Sequence, residues 1–143
     1  MLRAIVEMPM GTRYKYEVDK ASGGLILDRP VKKPVTSNYG YIVNTLADDG
    51  DPLDVFIAAV EPLPALTTVS IEIVGIIKCK DGGKQDDKVL AYVKDDSFSR
   101  SQINLTEFTQ ETLWYLRNYK DGLEIGEVLG AEQAGEEIVR VTK

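Results

Sequence analysis

The sequence predicts a mainly β fold, a small closed or partly closed barrel of short strands carrying one or two helices. Three observations lead there. About seven segments alternate apolar with polar residues, Gly, Pro, Asn and Asp cluster between them, and sustained helical spacing runs only from Asn104 to about Tyr119. With 143 residues, 43% hydrophobic and 28% charged, the chain is expected to form one domain spanning 1–143.

The elements follow in order. Leu2, Ala4 and Val6 alternate with Arg3, Ile5 and Glu7, giving a first strand that ends at Pro9-Met10-Gly11. Tyr14 to Val18 alternates again, with Lys15 and Glu17 on one face and Tyr14, Tyr16 and Val18 on the other. Ser22-Gly23-Gly24 reads as a hairpin connection, so Leu25 to Arg29 returns antiparallel and brings Arg29 towards Lys15 and Glu17 before Pro30 and Pro34 break the pattern. Asn38-Tyr39-Gly40-Tyr41 reads as a loop between aromatics, because Asn and Gly favour turns. The apolar run Val55 to Val60 follows. Val69 to Ile77 is a long strand that alternates first and then becomes wholly apolar as it enters the core.

Lys78 to Lys88 reads as a polar loop with a turn at Asp81-Gly82-Gly83, leading into a strand over Val89 to Val93. Asn104-x-x-Glu107 is a capping box that opens an amphipathic helix with Leu105, Phe108, Thr112, Trp114, Tyr115 and Leu116, an aromatic stripe read as core. A short strand near Glu127-Val128-Leu129 and a last helix from Ala131 to Val139, weakened by Gly135, complete the chain.

The chemistry concentrates at Asp48-Asp49-Gly50-Asp51-Pro52-Leu53-Asp54, four carboxylates within seven residues. Two unit charges about 4 Å apart repel by roughly 4 kcal/mol at an effective dielectric of about 20, so gathering them needs a reason. A solvated acidic turn is the plain alternative; a bound hard cation is the functional one. The chain has no histidine and one cysteine, Cys79, which argues against zinc or copper and for magnesium, manganese or calcium, with magnesium first. An EF-hand starting at Asp49 fails: its sixth position is Asp54 where glycine is needed, and its twelfth is Val60 where glutamate is needed. Cys79 has no partner for an internal disulfide and no histidine base.

A formal net charge of −6 argues against a nucleic-acid surface. No segment approaches the roughly 20 apolar residues that span a bilayer, and the N-terminus lacks a signal-peptide core, so no membrane partner and a cytoplasmic location are expected. A second acidic cluster, Asp81 and Asp86-Asp87, accompanies the cations Lys15, Arg29, Lys88 and Lys120 and the phenols Tyr39 and Tyr119. Carboxylates to hold metal and cations to hold a polyanion together suit phosphoryl transfer to water, which requires no organic cofactor.

Asp49-Gly50-Asp51-Pro52-Leu53-Asp54 fits the pattern D-x-D-P-hydrophobic-D, and here the chain resembles the soluble family I inorganic pyrophosphatases. The resemblance extends in order through Ile5-Val6-Glu7, Lys15 to Lys20, Asp28-Arg29, Asn38 to Tyr41, Asp81 to Lys88 and Tyr119-Lys120, covering roughly residues 4 to 121. It implies an OB-like five-stranded β-barrel with peripheral strands, and Mg²⁺-dependent hydrolysis of pyrophosphate to two phosphates. It also implies that Asp49, Asp54 and Asp86 hold metals, with Asp81 joining Asp86 at a further one and Glu17 reaching one through water. Asp51 would be the general base that orients or deprotonates the attacking water. Lys15, Arg29, Tyr39, Lys88, Tyr119 and Lys120 would grip the phosphates, with Glu7 behind them at the rim. A homo-oligomer, a hexamer in bacterial members, is the expected assembly.

Three departures bear on detail. Val35-Thr36-Ser37 stands where bacterial members usually carry Tyr-Pro before the Asn-Tyr-Gly motif, Glu127 stands where they tend to have lysine, and the stretch between Lys88 and Tyr119 is short. Two alternatives stay open on sequence alone: a non-catalytic barrel that binds metal or phosphate, and a hydrolase of longer polyphosphates.

Overall fold

The computed structural model describes residues 2–19, 21–30, 33–119 and 121–143, with residues 15–18, 25, 28–30 and 119 described by their backbone only. In chain order the described elements are β1 (Arg3–Met8), β2 (Tyr14–Val18), β3 (Leu25–Pro30), β4 (Asn38–Ile42), β5 (Asp54–Ala58), β6 (Thr68–Asp81), β7 (Lys84–Gln85) and β8 (Lys88–Val93). They continue with α1 (Ser97–Gln102), α2 (Leu105–Tyr119), β9 (Leu123–Gly130) and α3 (Ala131–Val141).

One sheet runs β1-β4-β5-β8-β6-β7, with β9 on β6 and β1 pairing again with β6. That last pairing closes a ring of five strands, β1-β4-β5-β8-β6, as the mainly β, OB-like expectation required. The 14-residue β6 makes closure possible, because its first residues, Thr68 to Ser70, pair with β1 while later ones pair with β8, β9 and β7. The β2–β3 hairpin forms a separate two-stranded sheet in which Lys15 lies opposite Arg29, as the sequence suggests. Among the described residues no helix is long and apolar enough to cross a membrane.

The central strands are buried on both faces. Val55 and Ile57 of β5 join Val89 and Ala91 of β8 in a core capped by Ala134, Ile138 and Val141 of α3. Phe56 and Ala58 join Leu90 and Tyr92 in a second core against Phe108, Leu113, Tyr115 and Leu116 of α2. This accounts for the unbroken apolar run after Asp54, since a strand covered on both sides has no polar face to alternate with. Burying each large apolar side chain contributes about 1.5–3 kcal/mol.

Several elements differ from their sequence reading. Asn38 to Tyr41 is a strand, β4, and not a loop. Its glycine serves close approach: a Cβ on Gly40 would lie 1.9 Å from the Ile5 carbonyl oxygen of β1. Strand β6 runs on through Cys79 to Asp81, so only the turn at Gly82-Gly83 and the short link to β8 interrupt regular structure in the polar stretch. Helix α1, without apolar periodicity, was not foreseen; Asp96 caps it by accepting from Ser99 N at 3.1 Å and Ser99 Oγ at 2.6 Å. The capping residue of α2 is as read, with Asn104 Oδ1 accepting from Glu107 N at 2.8 Å. Its aromatic stripe divides, Phe108 and Tyr115 going to the core while Trp114 stays 48% exposed. β9 and α3 extend further than read.

Candidate active site

β5 and β8 are parallel neighbours in register, so their first residues, Asp54 and Lys88, stand side by side. Alternation then puts both side chains on the face that carries Phe56 and Leu90 deeper along the strands. Lys88 Nζ donates to Asp54 Oδ2 at 2.6 Å and to Asp86 Oδ1 at 3.0 Å, and the lysine side chain is only 5% exposed. Burial works against the ammonium charge, but the combined pull of Asp54 and Asp86 wins and raises its pKa well above that of free lysine. Asp54 is itself raised by burial, opposed by Lys88 and by a hydrogen bond from Tyr39. Tyr39 reaches it from β4, where it packs against Phe56 with ring centroids 4.9 Å apart.

The loop before β5 is built from its own residues. Asp49 Oδ1 accepts from Asp51 N at 3.0 Å, Ala47 N donates to Asp51 O at 2.7 Å, and Gly50 takes a φ of +88°, a conformation open to glycine. Leu53 is buried beneath the loop and its N–H donates to Thr45 Oγ1 at 2.9 Å. Asp49 has its pKa raised by burial, and Asp86, Asp51 and Asp54 push the same way. Asp49, Asp51, Asp54 and Asp86 therefore share one electrostatic neighbourhood although Asp86 comes from a distant segment. Tyr41 stands opposite Asp54 in the β4–β5 register, and burial and the nearby charge of Glu7 both raise its pKa. Asp81 ends β6, opposite Lys84 and Leu123.

The side chains of Lys15, Glu17, Arg29 and Tyr119, and Lys120 altogether, lie outside the described residues. Among the described residues no three metal-ligating side chains form a ready cage. The donor chemistry nevertheless fits a hard divalent cation. The donors are carboxylate oxygens, one of the carboxyls, that of Asp49, has its pKa raised by burial and by neighbouring carboxylates, and histidine is absent. Asp49, Asp54 and Asp86 are the residues that would hold it.

Three residues without a role in the sequence reading organise the site. Asn38 is fully buried; its Oδ1 accepts from Met10 N at 2.9 Å and Leu63 N at 2.8 Å, tying two loops to β4. Asp87, 3% exposed, turns away from Asp86 and accepts from Cys79 N at 3.0 Å, Gln85 Nε2 at 2.5 Å and Lys78 Nζ at 2.5 Å, which pins the β6–β7 hairpin to the start of β8. Arg140 reaches Asp48 from α3. The doubled acid at Asp86-Asp87 was the available signal for Asp87, whereas nothing local in the sequence points to Arg140. As for the departures, Val35 is buried in the core containing Tyr39, and Glu127 is exposed on β9.

A sequence profile of the family described as inorganic pyrophosphatase matches residues 4–143. The chain belongs to the inorganic pyrophosphatase family. It is 34% identical to the inorganic pyrophosphatase of Campylobacter jejuni over 82% of this chain and 71% of that one. It is 37% identical to that of Agrobacterium fabrum, over 84% and 73%. Crystal structures of inorganic pyrophosphatases from Thermus thermophilus and Neisseria gonorrhoeae superimpose with TM-scores of 0.88 and 0.87, each at 27% identity. The first covers 98% of this chain and 88% of its own, the second 97% and 87%.

Proposed function

We propose that this chain hydrolyses inorganic pyrophosphate to two phosphates, with Asp51 as general base and a divalent cation, magnesium first, held by Asp49, Asp54 and Asp86. The observation that carries this is the convergence of Asp54, Lys88 and Asp86 beside the Asp49–Asp51 turn, in a chain of this family.

A bound divalent cation would neutralise phosphate charge and make water more acidic. The remaining work falls to the chain. Asp51 is exposed at the loop's tip, where its carboxylate can take the proton of a water attacking one phosphorus as the bridging P–O bond breaks and the second phosphate leaves. Lys88, held charged, offers an N–H to a phosphate oxygen from a fixed position, and the Tyr39 hydroxyl sits beside it. Lys15, Arg29, Tyr119 and Lys120 complete the phosphate grip in this reading, Glu17 and Asp81 assist the metals, and Glu7 stands behind at the rim.

We read the chain further as a single domain, cytoplasmic, acting as a homo-oligomer, hexameric by family. Substrate choice is tested by comparing phosphate release from pyrophosphate, tripolyphosphate and a nucleoside triphosphate in Mg²⁺. Pyrophosphate is expected to exceed the others by at least about a hundredfold, roughly 2.7 kcal/mol of transition-state preference. Equal or better use of the longer substrates would refute the assignment.

A further inference from the structure

The Asp48 to Asp54 loop is gripped from outside by α3. Arg140 lays a two-point fork on Asp48, with Nη1 donating to Oδ1 at 3.1 Å and Nη2 to Oδ2 at 3.0 Å, across 92 residues of sequence. Glu137 braces the guanidinium, accepting from Nε at 3.2 and 3.0 Å and from Nη2 at 2.5 Å. Backbone ties run alongside: Leu46 N donates to Val141 O, Lys143 N donates to Asn44 O, each at 2.9 Å, and Thr45 bridges Thr142. Ile138 and Val141 are buried in the core, so the helix making these contacts is itself fixed. The two adjacent carboxylates thereby divide. Asp48 is tied to α3, while Asp49 closes the turn onto Asp51, its Oδ1 accepting from Asp51 N at 3.0 Å, within the electrostatic reach of Asp54 and Asp86.

We propose that Arg140 is a positioning residue which, by holding Asp48 against α3, fixes the rotation of the loop and so presents Asp49 to the divalent cation. The proposal rests on the reading of Asp49 as a cation ligand. It separates from a purely electrostatic role by sign. Arg140 is a positive charge near an anionic site, so acting through its field alone it opposes cation binding, and its removal would tighten the site. Acting as a clamp, it favours binding, and its removal loosens the site.

The test is calorimetric titration of the full chain with Mg²⁺ alone, without substrate, for wild type, Arg140→Met, Arg140→Lys and Asp48→Asn, followed by the Mg²⁺ dependence of pyrophosphate turnover. Arg140→Met is expected to weaken Mg²⁺ binding about three- to fivefold, less than loss of a directly supporting ligand partner because the pair is half exposed. Arg140→Lys should recover only part of this, since it keeps the charge and loses the fork. In the Asp48→Asn background Arg140→Met should weaken binding no further, since the clamp is already gone and only the opposing field of the guanidinium is left to lose. The Mg²⁺ concentration for half-activation should shift by the same factor, while turnover at saturating Mg²⁺ recovers. Unchanged or tighter binding in Arg140→Met would overturn the proposal, as would a further weakening in the Asp48→Asn background. A wild-type chain that binds Mg²⁺ but releases no phosphate would sink the diphosphatase reading alone, and the calorimetry would still decide the clamp.

Discussion

Replacing Lys88 with methionine keeps an unbranched side chain and removes the one cation seen between Asp54 and Asp86 among the described residues. At 2.6 and 3.0 Å and an effective dielectric of about 20, each contact is worth roughly 6 kcal/mol of attraction, most of it offset by desolvation of the buried ammonium. Losing one partner of such a group costs about 3–5 kcal/mol, because the aspartates stay behind without their buried ammonium. Against a total stability of about 5–15 kcal/mol that is a large fraction. With a urea slope of about 2 kcal/mol per molar, the unfolding midpoint in chelator should drop by about 2 M. A divalent cation can replace the missing charge, so Mg²⁺ should raise the midpoint of Lys88→Met far more than that of wild type. A variant that unfolds at the wild-type midpoint in chelator, or gains no more from Mg²⁺ than wild type does, would refute this account of the ion pairs.

Three other outcomes follow from the packing and the caps. Gly40→Ala should fail to accumulate as folded protein or lose more than about 4 kcal/mol in urea unfolding, since the new methyl meets Ile5 backbone, which cannot swing aside. Cys79 is 1% exposed and burial pushes its thiol up to about 11, so at pH 7 it should resist an aromatic disulfide reagent until the chain unfolds, with labelling rising along the denaturant transition. Hydrogen bonds from Ser99 hold the Asp96 carboxyl below its usual 3.8. The folded state thus favours the ion, and the stability it contributes is present above pH 3.8 and lost as pH falls through the lower folded value. Asp96→Ala should cost about 1 kcal/mol at pH 7 and less near pH 3, read from urea midpoints at both; an equal cost at both would contradict the capping role.

How much was legible depended on whether the signal was local. The D-x-D-P-x-D turn, the Asn104 cap and the β2–β3 hairpin are specified by neighbours in sequence, and all are where they were expected. Asn38 to Tyr41 reads locally as a turn, because asparagine and glycine favour turns, yet it forms β4. Asn38 instead ties distant loops, and Gly40 lets β1 and β4 approach, contacts that lie 25 to 35 residues away. The parallel pairing that sets Asp54 beside Lys88 crosses 34 residues and has no periodic signature of its own. The fork from Arg140 to Asp48 spans 92 residues, and only the fold brings it about. The family resemblance names Asp54, Asp86 and Lys88 together because the order of its motifs carries that long-range information, and the fold brings those three side chains into contact.

The most direct measurement is phosphate release from pyrophosphate by wild type and Asp51→Asn, each with Mg²⁺ and with chelator. The account predicts release in wild type that depends on Mg²⁺ and falls by at least about 10²-fold in Asp51→Asn, with the variant still folded and still binding Mg²⁺. Release that persists undiminished in Asp51→Asn, or that ignores the chelator, would contradict it.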